Sequence, residues 1–260
     1  LYNIYIYIYT HIIYIYNMYI IEKQSGVTIN SFIENLKKEK KICYCGRLDP
    51  MARGKILILE GDECKQMDYF NKKSKEYEFK IILGIQTDTD DPLGIIENYD
   101  FNLIFNDNLV MESFYDIILE LNNYPKTFQQ KYHKYSSKKI NGKSLFWYSK
   151  NNIPVDIPSK EVNIYNLLIN KIDKINLNDW IKDINAKIDN IDINTDFRQN
   201  EIIKQWKNIN LENNSIKLHF LDVKMQVSSG FYIRQFVRDI STNVITPLMV
   251  YDINRTSIIM

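Results

Sequence analysis

The sequence predicts an α+β fold, and three observations carry that prediction. Apolar residues alternate with period two over 77–83 and 223–227, the signature of strands. They recur at helical spacing over 29–36 and 233–244. These signals follow one another without the regular strand–helix–strand repeat of a doubly wound sheet. No phosphate-binding Walker loop, dinucleotide-binding glycine fingerprint, HExxH or GxSxG elbow is present.

The first 21 residues contain no Asp, Glu, Lys or Arg, and seven of the first 19 are tyrosines. Polar Asn3, Thr10, His11 and Asn17 interrupt this run, whereas a membrane-spanning helix needs about 20 predominantly apolar residues. A signal peptide needs a basic start and a small-residue cleavage site, and neither is present. Residues 1–17 are therefore expected to lie outside the folded domain, which is expected to span 18–260.

A short strand at Tyr19-Ile20-Ile21 comes first. Thr28 can then cap a helix with Ile29, Phe32, Ile33 and Leu36 on one face. The cluster Lys37-Lys38-Glu39-Lys40-Lys41 suits the negative end of that helix and fits either a solvated terminus or an RNA contact. Ile56-Leu57-Ile58-Leu59 and the alternation from Tyr77 to Leu83 read as strands, with a turn-rich stretch at 88–94. Met111, Phe114, Tyr115, Ile118 and Leu119 form a helical stripe. Residues 172–215 are rich in Asn, Asp, Ile and Lys, lack glycine and proline, and read as a partly helical insertion without assigned chemistry. Val223, Met225 and Val227 form one face of a strand, and Ser228-Ser229-Gly230 leads into a helix lined by Ile233, Phe236, Val237, Ile240 and Val244.

Hydrophobic residues make up 45% and charged residues 25%, an ordinary composition for a globular chain. With 33 basic against 32 acidic residues, a nucleic-acid partner requires positive charge gathered locally. Lys131, Lys134, Lys138, Lys139 and Lys143 lie among Tyr132, His133 and Tyr135, a pattern suited to phosphate neutralisation and base stacking and equally to a solvated loop. Cys43, Cys45 and Cys64 supply neither a disulfide framework nor a four-ligand zinc site, so reduced thiols in an intracellular compartment are expected. No metal or organic cofactor is expected.

Asp49 sits in the glycine-bracketed loop Gly46-Arg47-Leu48-Asp49-Pro50-Met51-Ala52-Arg53-Gly54, where Pro50 fixes φ and stiffens the turn. Asp-Pro alone is a common turn. Its company makes it distinctive. The loop resembles the G-x-L-D-P-x-A-x-G motif of TruB-type pseudouridine synthases. Seven further blocks follow that family's order and spacing: Glu22–Thr28, Lys75-Glu76-Tyr77, Gly84–Gly94, Tyr135–Lys143, Lys160–Leu167, Ser229–Arg234 and Ile253–Thr256. Arg47-Leu48-Asp49 also resembles the R-L-D of ribosomal and RluA-type synthases, but the later blocks favour TruB.

The resemblance implies a pseudouridine synthase fold, with a mixed, mostly antiparallel sheet flanked by helices. It implies a monomer without a membrane partner that isomerises a uridine in the T arm of tRNA. Asp49 becomes the nucleophile, Tyr77 the ring that stacks on a flipped-out base, and Arg234 the partner that orients Asp49. Tyr232 and Ile253 would line the uridine pocket, and Asp91 would support Arg234. Tyr44 replaces the family's histidine, whose ring wedges into the T loop, so its hydrogen bonding differs. Lys134, Lys138 and Lys139 are candidate phosphate contacts. The chain ends five residues after Arg255, so the PUA domain that often follows in the family is expected to be absent. The same chemistry on another RNA, or a catalytically silent tRNA-binding protein, are the competing expectations.

Overall fold

A computed structural model describes residues 13–15, 17–34, 36, 41–100, 102–103, 106–192, 195–209 and 216–260. The expected basic cluster at the end of the first helix lies outside these residues except for Lys41.

The centre is a nine-stranded sheet. In spatial order its strands are β1 (Ile13–Ile15), β2 (Met18–Lys23), β4 (Arg53–Glu60), β13 (Leu248–Ile258), β5 (Lys75–Leu83), β12 (Lys217–Val227), β11 (Ser159–Asn176) and β8 (Thr127–Lys131). The ninth, β3 (Ile42–Cys45), pairs with β4. Of these pairings only β13 with β4 is parallel. The α+β class and the mostly antiparallel sheet are as the sequence predicts. Two short ladders stand apart, β6 (Ile85–Thr87) with β7 (Ile96–Tyr99) and β9 (Lys139–Ile140) with β10 (Lys143–Ser144).

Ile56, Leu57, Ile58 and Leu59 form an unbroken apolar run because both faces of β4 are covered. Ile56 and Ile58 enter the main core, while Leu57 and Leu59 pack on the opposite side with Cys45, Phe70 and Ile258. Arg53 and Gly54 lie against Asn254 and Arg255 of β13. Gly54 has φ 116°, and a Cβ there would lie 2.6 Å from the Arg255 amide nitrogen, so this approach requires glycine.

Helix α1 (Ile29–Glu34) begins at Thr28, whose Oγ1 accepts the Ser31 amide at 3.1 Å. Next come α2 (Met67–Asn71) and α3 (Asp107–Asn123), the latter capped by the Asn106 side chain. Helix α3 buries Val110, Phe114, Ile117 and Leu121, whereas Met111, Tyr115 and Leu119 are exposed. The expected stripe is thus displaced. The helix is apolar over a wide arc, and the sheet covers the flank centred beside the one the spacing suggests. Helix α4 (Leu145–Lys150) follows the second small ladder, and α7 (Ile233–Val244) packs Phe236, Val237 and Ile240 into the main core.

One expectation needs correction. Residues 1–17 do not all lie outside the fold, because Ile13, Tyr14 and Ile15 pair antiparallel with Ile20, Tyr19 and Met18. The edge of β2 leaves backbone donors and acceptors open, and the preceding residues satisfy them. The described part of residues 172–215 is partly helical, as expected. Their first residues complete β11, and α5 (Leu177–Asp189) and α6 (Gln199–Asn208) build a second core. Trp180 and Trp206 meet edge-on there with ring centroids 5.1 Å apart, beside Met51 and Leu93. Among the described residues no helix is long and apolar enough to cross a membrane.

Candidate active site

The turn before β4, the start of β5 and the loop entering α7 enclose a cavity of about 350 Å3. Asp49, Tyr77, Tyr232, Arg234 and Ile253 all line it, with Lys75, Ser136, Ser137 and Arg255 among their neighbours. Its size lies within the range of small-ligand sites. Arg234 Nε donates to Asp49 Oδ2 at 2.8 Å. The arginine side chain is 5% exposed and the aspartate 38%, so the carboxylate faces the cavity while its partner lies behind it.

Arg234 is fixed from its other side. Nη1 donates to the Thr89 carbonyl at 2.9 Å and Nη2 to the Tyr135 carbonyl at 3.3 Å. Burial disfavours the guanidinium charge, but Asp49 and Asp91 outweigh it and raise the arginine pKa further. Asp91 Oδ2 lies 3.7 Å from Arg234 Nε. Asp91 does not line the cavity. Its Oδ1 accepts Thr89 Oγ1 at 2.8 Å and the Leu93 amide at 2.9 Å. Burial pushes the Asp91 carboxyl up to about 6 against the opposing pull of Arg234.

The Asp49 loop is tied down by residues 23–26. Lys23 Nζ donates to the carbonyls of Ala52 at 2.7 Å, Gln24 at 2.9 Å and Pro50 at 3.2 Å. Ser25 Oγ donates to the Met51 carbonyl at 2.7 Å and the Gly26 amide to Pro50 at 3.0 Å. Lys23 is fully buried, and desolvation pulls its ammonium down to about 7 although Asp49 opposes this. No functional role for Lys23 is legible in its motif block alone. One signal was available: Tyr19, Ile21 and Lys23 share the buried face of β2 by strand alternation. Arg255 is likewise buried, donating from Nε to the Lys55 carbonyl at 2.7 Å and from Nη2 to Gly46 at 3.0 Å.

Tyr232 is held by a reciprocal pair of bonds. Its amide donates to Gln130 Oε1 at 2.9 Å, and Gln130 Nε2 donates to its carbonyl at 3.0 Å. Burial, reinforced by Asp49, pushes its phenol up to about 12. Ile253 projects from β13 into the main core.

The 88–94 turn is buried rather than superficial. Arg238 Nε pairs with Asp90 Oδ1 at 2.7 Å, and His133 Nε2 lies 2.9 Å from Asp90 Oδ2. Burial lowers the His133 pKa, with Arg234 adding to it, so the ring is neutral. Its Nδ1 accepts the Tyr135 amide at 3.1 Å, which places the proton on Nε2 facing Asp90. A Cβ on Gly94 would lie 2.8 Å from Asp88 Oδ1, so the turn closes only around glycine.

Tyr44, Lys134, Lys138 and Lys139 stand outside the cavity wall. Tyr44 pairs across β3–β4 with Ile58 and packs against the main core. Lys138 Nζ lies 4.9 Å from the Tyr132 ring centroid, and Lys134 Nζ reaches Glu97 at 3.3 Å. Ser136 and Ser137, which do line the cavity, sit between these lysines in the chain.

The TruB family pseudouridylate synthase N-terminal domain matches residues 34–187, a stretch that includes residues 172–187 of the expected insertion. tRNA pseudouridine synthase B of Mycoplasma mobile is 32% identical over 148 residues, covering 56% of this chain and 49% of the relative. The Mycoplasmopsis pulmonis enzyme of that name is 34% identical over 158 residues, covering 60% and 53%. That of Mycoplasma capricolum is 28% identical over 242 residues, covering 92% and 66%. The chain therefore spans about half the length of the first two relatives. A solved Cbf5–Nop10–Gar1 complex contains a chain of similar fold, with TM-score 0.50, 13% identity, and coverage of 92% of this chain and 48% of that one.

Proposed function

Because this chain belongs to the TruB family of pseudouridylate synthases, we propose that it isomerises uridine to pseudouridine in the T arm of tRNA. The reaction breaks the bond between N1 of the base and C1′ of the ribose, turns the base, and joins C1′ to C5, so that C5 loses its proton and N1 gains one. No atom is gained or lost overall. Asp49 acts as the nucleophile toward the target nucleotide. The observation that carries this reading is the 2.8 Å bond from buried Arg234 to a carboxylate facing a cavity walled by Tyr77.

The arrangement fits the demands of that chemistry. A nucleophilic carboxylate must remain ionised in a site from which substrate excludes water, and a guanidinium in contact favours its charge. A base inside a helix is unreachable, so it must be extruded, and an aromatic face offsets part of the lost stacking. Tyr77 supplies that face, while Tyr232 and Ile253 bound the space the uracil enters. The tRNA synthase names of the relatives support a tRNA substrate. The T-arm position rests on the resemblance of the eight sequence blocks.

The test is incubation with unmodified tRNA transcript and mapping of pseudouridine. The wild-type chain should modify one T-arm uridine. Asp49→Asn should lose activity by at least roughly a thousandfold. Its tRNA affinity should stay within about threefold, because phosphate contacts dominate binding. Persistent activity in Asp49→Asn would remove Asp49 as nucleophile. A wild-type chain that binds tRNA without modifying it would favour a silent binding protein.

A further inference from the structure

Among the described residues of the 172–215 segment, to which the sequence assigns no chemistry, Arg198 brings a charge to the site. Arg198 immediately precedes α6 and projects beneath the 88–94 turn. Its Nη1 meets Asp88 Oδ2 at 2.6 Å and its Nη2 meets Asp88 Oδ1 at 3.1 Å, a two-pronged guanidinium–carboxylate pair. Tyr135 OH donates to the same Oδ2 at 2.6 Å, and the Ile95 amide donates to Oδ1 at 2.8 Å. The Arg198 guanidinium also lies over the Tyr135 ring, 5.1 Å from its centroid.

Asp88 therefore joins two backbone stretches, and each provides a carbonyl that holds Arg234. Thr89 follows Asp88 directly, and Tyr135 is bonded to it through its hydroxyl. A small cavity behind Asp49 is lined by Phe197 and Arg198 together with Arg234. Phe197 continues the contact by packing edge-on against Phe146, which packs on Tyr135, at 5.3 and 5.9 Å. The local backbone also points to a selected side chain. Arg198 has φ 66°, a left-handed conformation that Gly or Asn would adopt more readily.

We infer that Arg198 is a positioning residue for the reaction proposed above, holding Asp88 and Tyr135 so that Arg234 presents its Nε to Asp49. The helix pair α5–α6 is then part of the active-site framework. It is anchored from below by Trp180 and Trp206 packed against Met51 and Leu93, the flanks of the Asp49 loop and of the turn. Charge balance is consistent with this role. Arg238 serves Asp90, Arg234 serves Asp49 and Asp91, and Arg198 serves Asp88. Burial raises the Asp88 pKa, but the bonds from Arg198 and Tyr135 outweigh it and keep the carboxyl below its ordinary range.

The inference rests on the proposed activity, and the experiment separates the two. Pseudouridine formation on tRNA transcript is measured for the wild type, Arg198→Ala, Arg198→Lys, Asp88→Ala and the double alanine variant, with melting temperatures alongside. In Arg198→Ala, kcat should fall about tenfold with KM for tRNA unchanged within about twofold, because orientation rather than binding is lost. The acid limb of its kcat profile should move to higher pH, since Asp88 loses its cation and protonates more readily. Arg198→Lys should recover part of kcat, as a point charge replaces the fork. The double variant should be no slower than either single one, because both break the same link. An active wild type with unchanged kcat and pH profile in Arg198→Ala overturns the role of Arg198 alone. Additive losses in the double variant, or equal losses of kcat and melting temperature without rescue by lysine, also overturn it. An inactive wild type overturns the activity and this role together.

Discussion

Arg234 is where one side chain decides the most. It is buried, it bonds Asp49, and two backbone carbonyls fix its plane. Lysine would keep the charge but could satisfy only part of this divergent set of acceptors. Arg234→Lys should therefore lower kcat by about a hundredfold, the scale of loss for a misplaced catalytic group. Single-turnover pseudouridine formation would check this, and near-normal turnover would undo the proposed pairing. Asp91 carries a second prediction. Its folded pKa of about 6 lies above the ordinary 3.8, so the folded chain binds more protons than the unfolded chain between those values. The stability this group contributes is present below pH 3.8 and is lost as pH rises through about 6. Asp91→Asn keeps an oxygen for Thr89 and Leu93 but does not titrate. The wild type should lose roughly 2 kcal/mol relative to Asp91→Asn between pH 4 and pH 7, measured by urea denaturation at the two values. An equal difference at both pH values would mean that Asp91 is ionised throughout.

Among the elements, the helix pair α5–α6 departs furthest from what its composition suggested. Asn, Asp and Lys recur along its sequence, yet Leu177, Trp180, Ile181, Ile184, Ile188, Ile202 and Trp206 all face inward. Trp206 also donates its indole N–H to the Pro92 carbonyl at 2.9 Å, tying α6 to the 88–94 turn. Trp206→Ala removes a buried ring and leaves that carbonyl without its donor. It should destabilise the fold by about 3–5 kcal/mol, read from the denaturation midpoint with the slope unchanged. A change below about 1 kcal/mol would mean that the pair is loosely attached. Strand β1 shows the converse. A charge-free Tyr/Ile run reads as low complexity, but at Ile13–Ile15 it serves as an edge strand because β2 offers an open ladder.

The whole molecule carries a net charge of only +1, so attraction to RNA must be local. Lys134, Lys138 and Lys139 belong to the stretch that also sends Ser136 and Ser137 to the cavity wall. If they meet phosphates, changing all three to Ala should weaken tRNA binding and flatten the slope of log affinity against log salt by two to three units, at about 0.9 per phosphate. Turnover at saturating tRNA should change far less, since none of the three lines the cavity. An unchanged slope would move the main docking surface elsewhere, with Lys37–Lys41 the next basic cluster in the chain.

The sequence alone determined the fold class and picked out residues that line one cavity. Period-two and period-3.6 patterns are local consequences of backbone geometry, and motif blocks keep their order whatever lies between them. Asp49, Tyr77, Tyr232, Arg234 and Ile253 were all legible in this way. Tertiary structure decided what depends on neighbours distant in the chain. The flank of α3 that is buried depends on where the sheet lies. The charge of Lys23 was hidden in the alternation of β2, and only its burial beneath the Pro50 and Ala52 carbonyls shows what it holds. Arg198 belongs to no motif. It reaches Asp88, 110 residues earlier in the chain, only because apolar side chains spaced along an Asn-rich segment fold two helices under the turn. Partners that far apart are chosen by packing and by the need to neutralise a buried carboxylate, and neither leaves a local mark in the sequence.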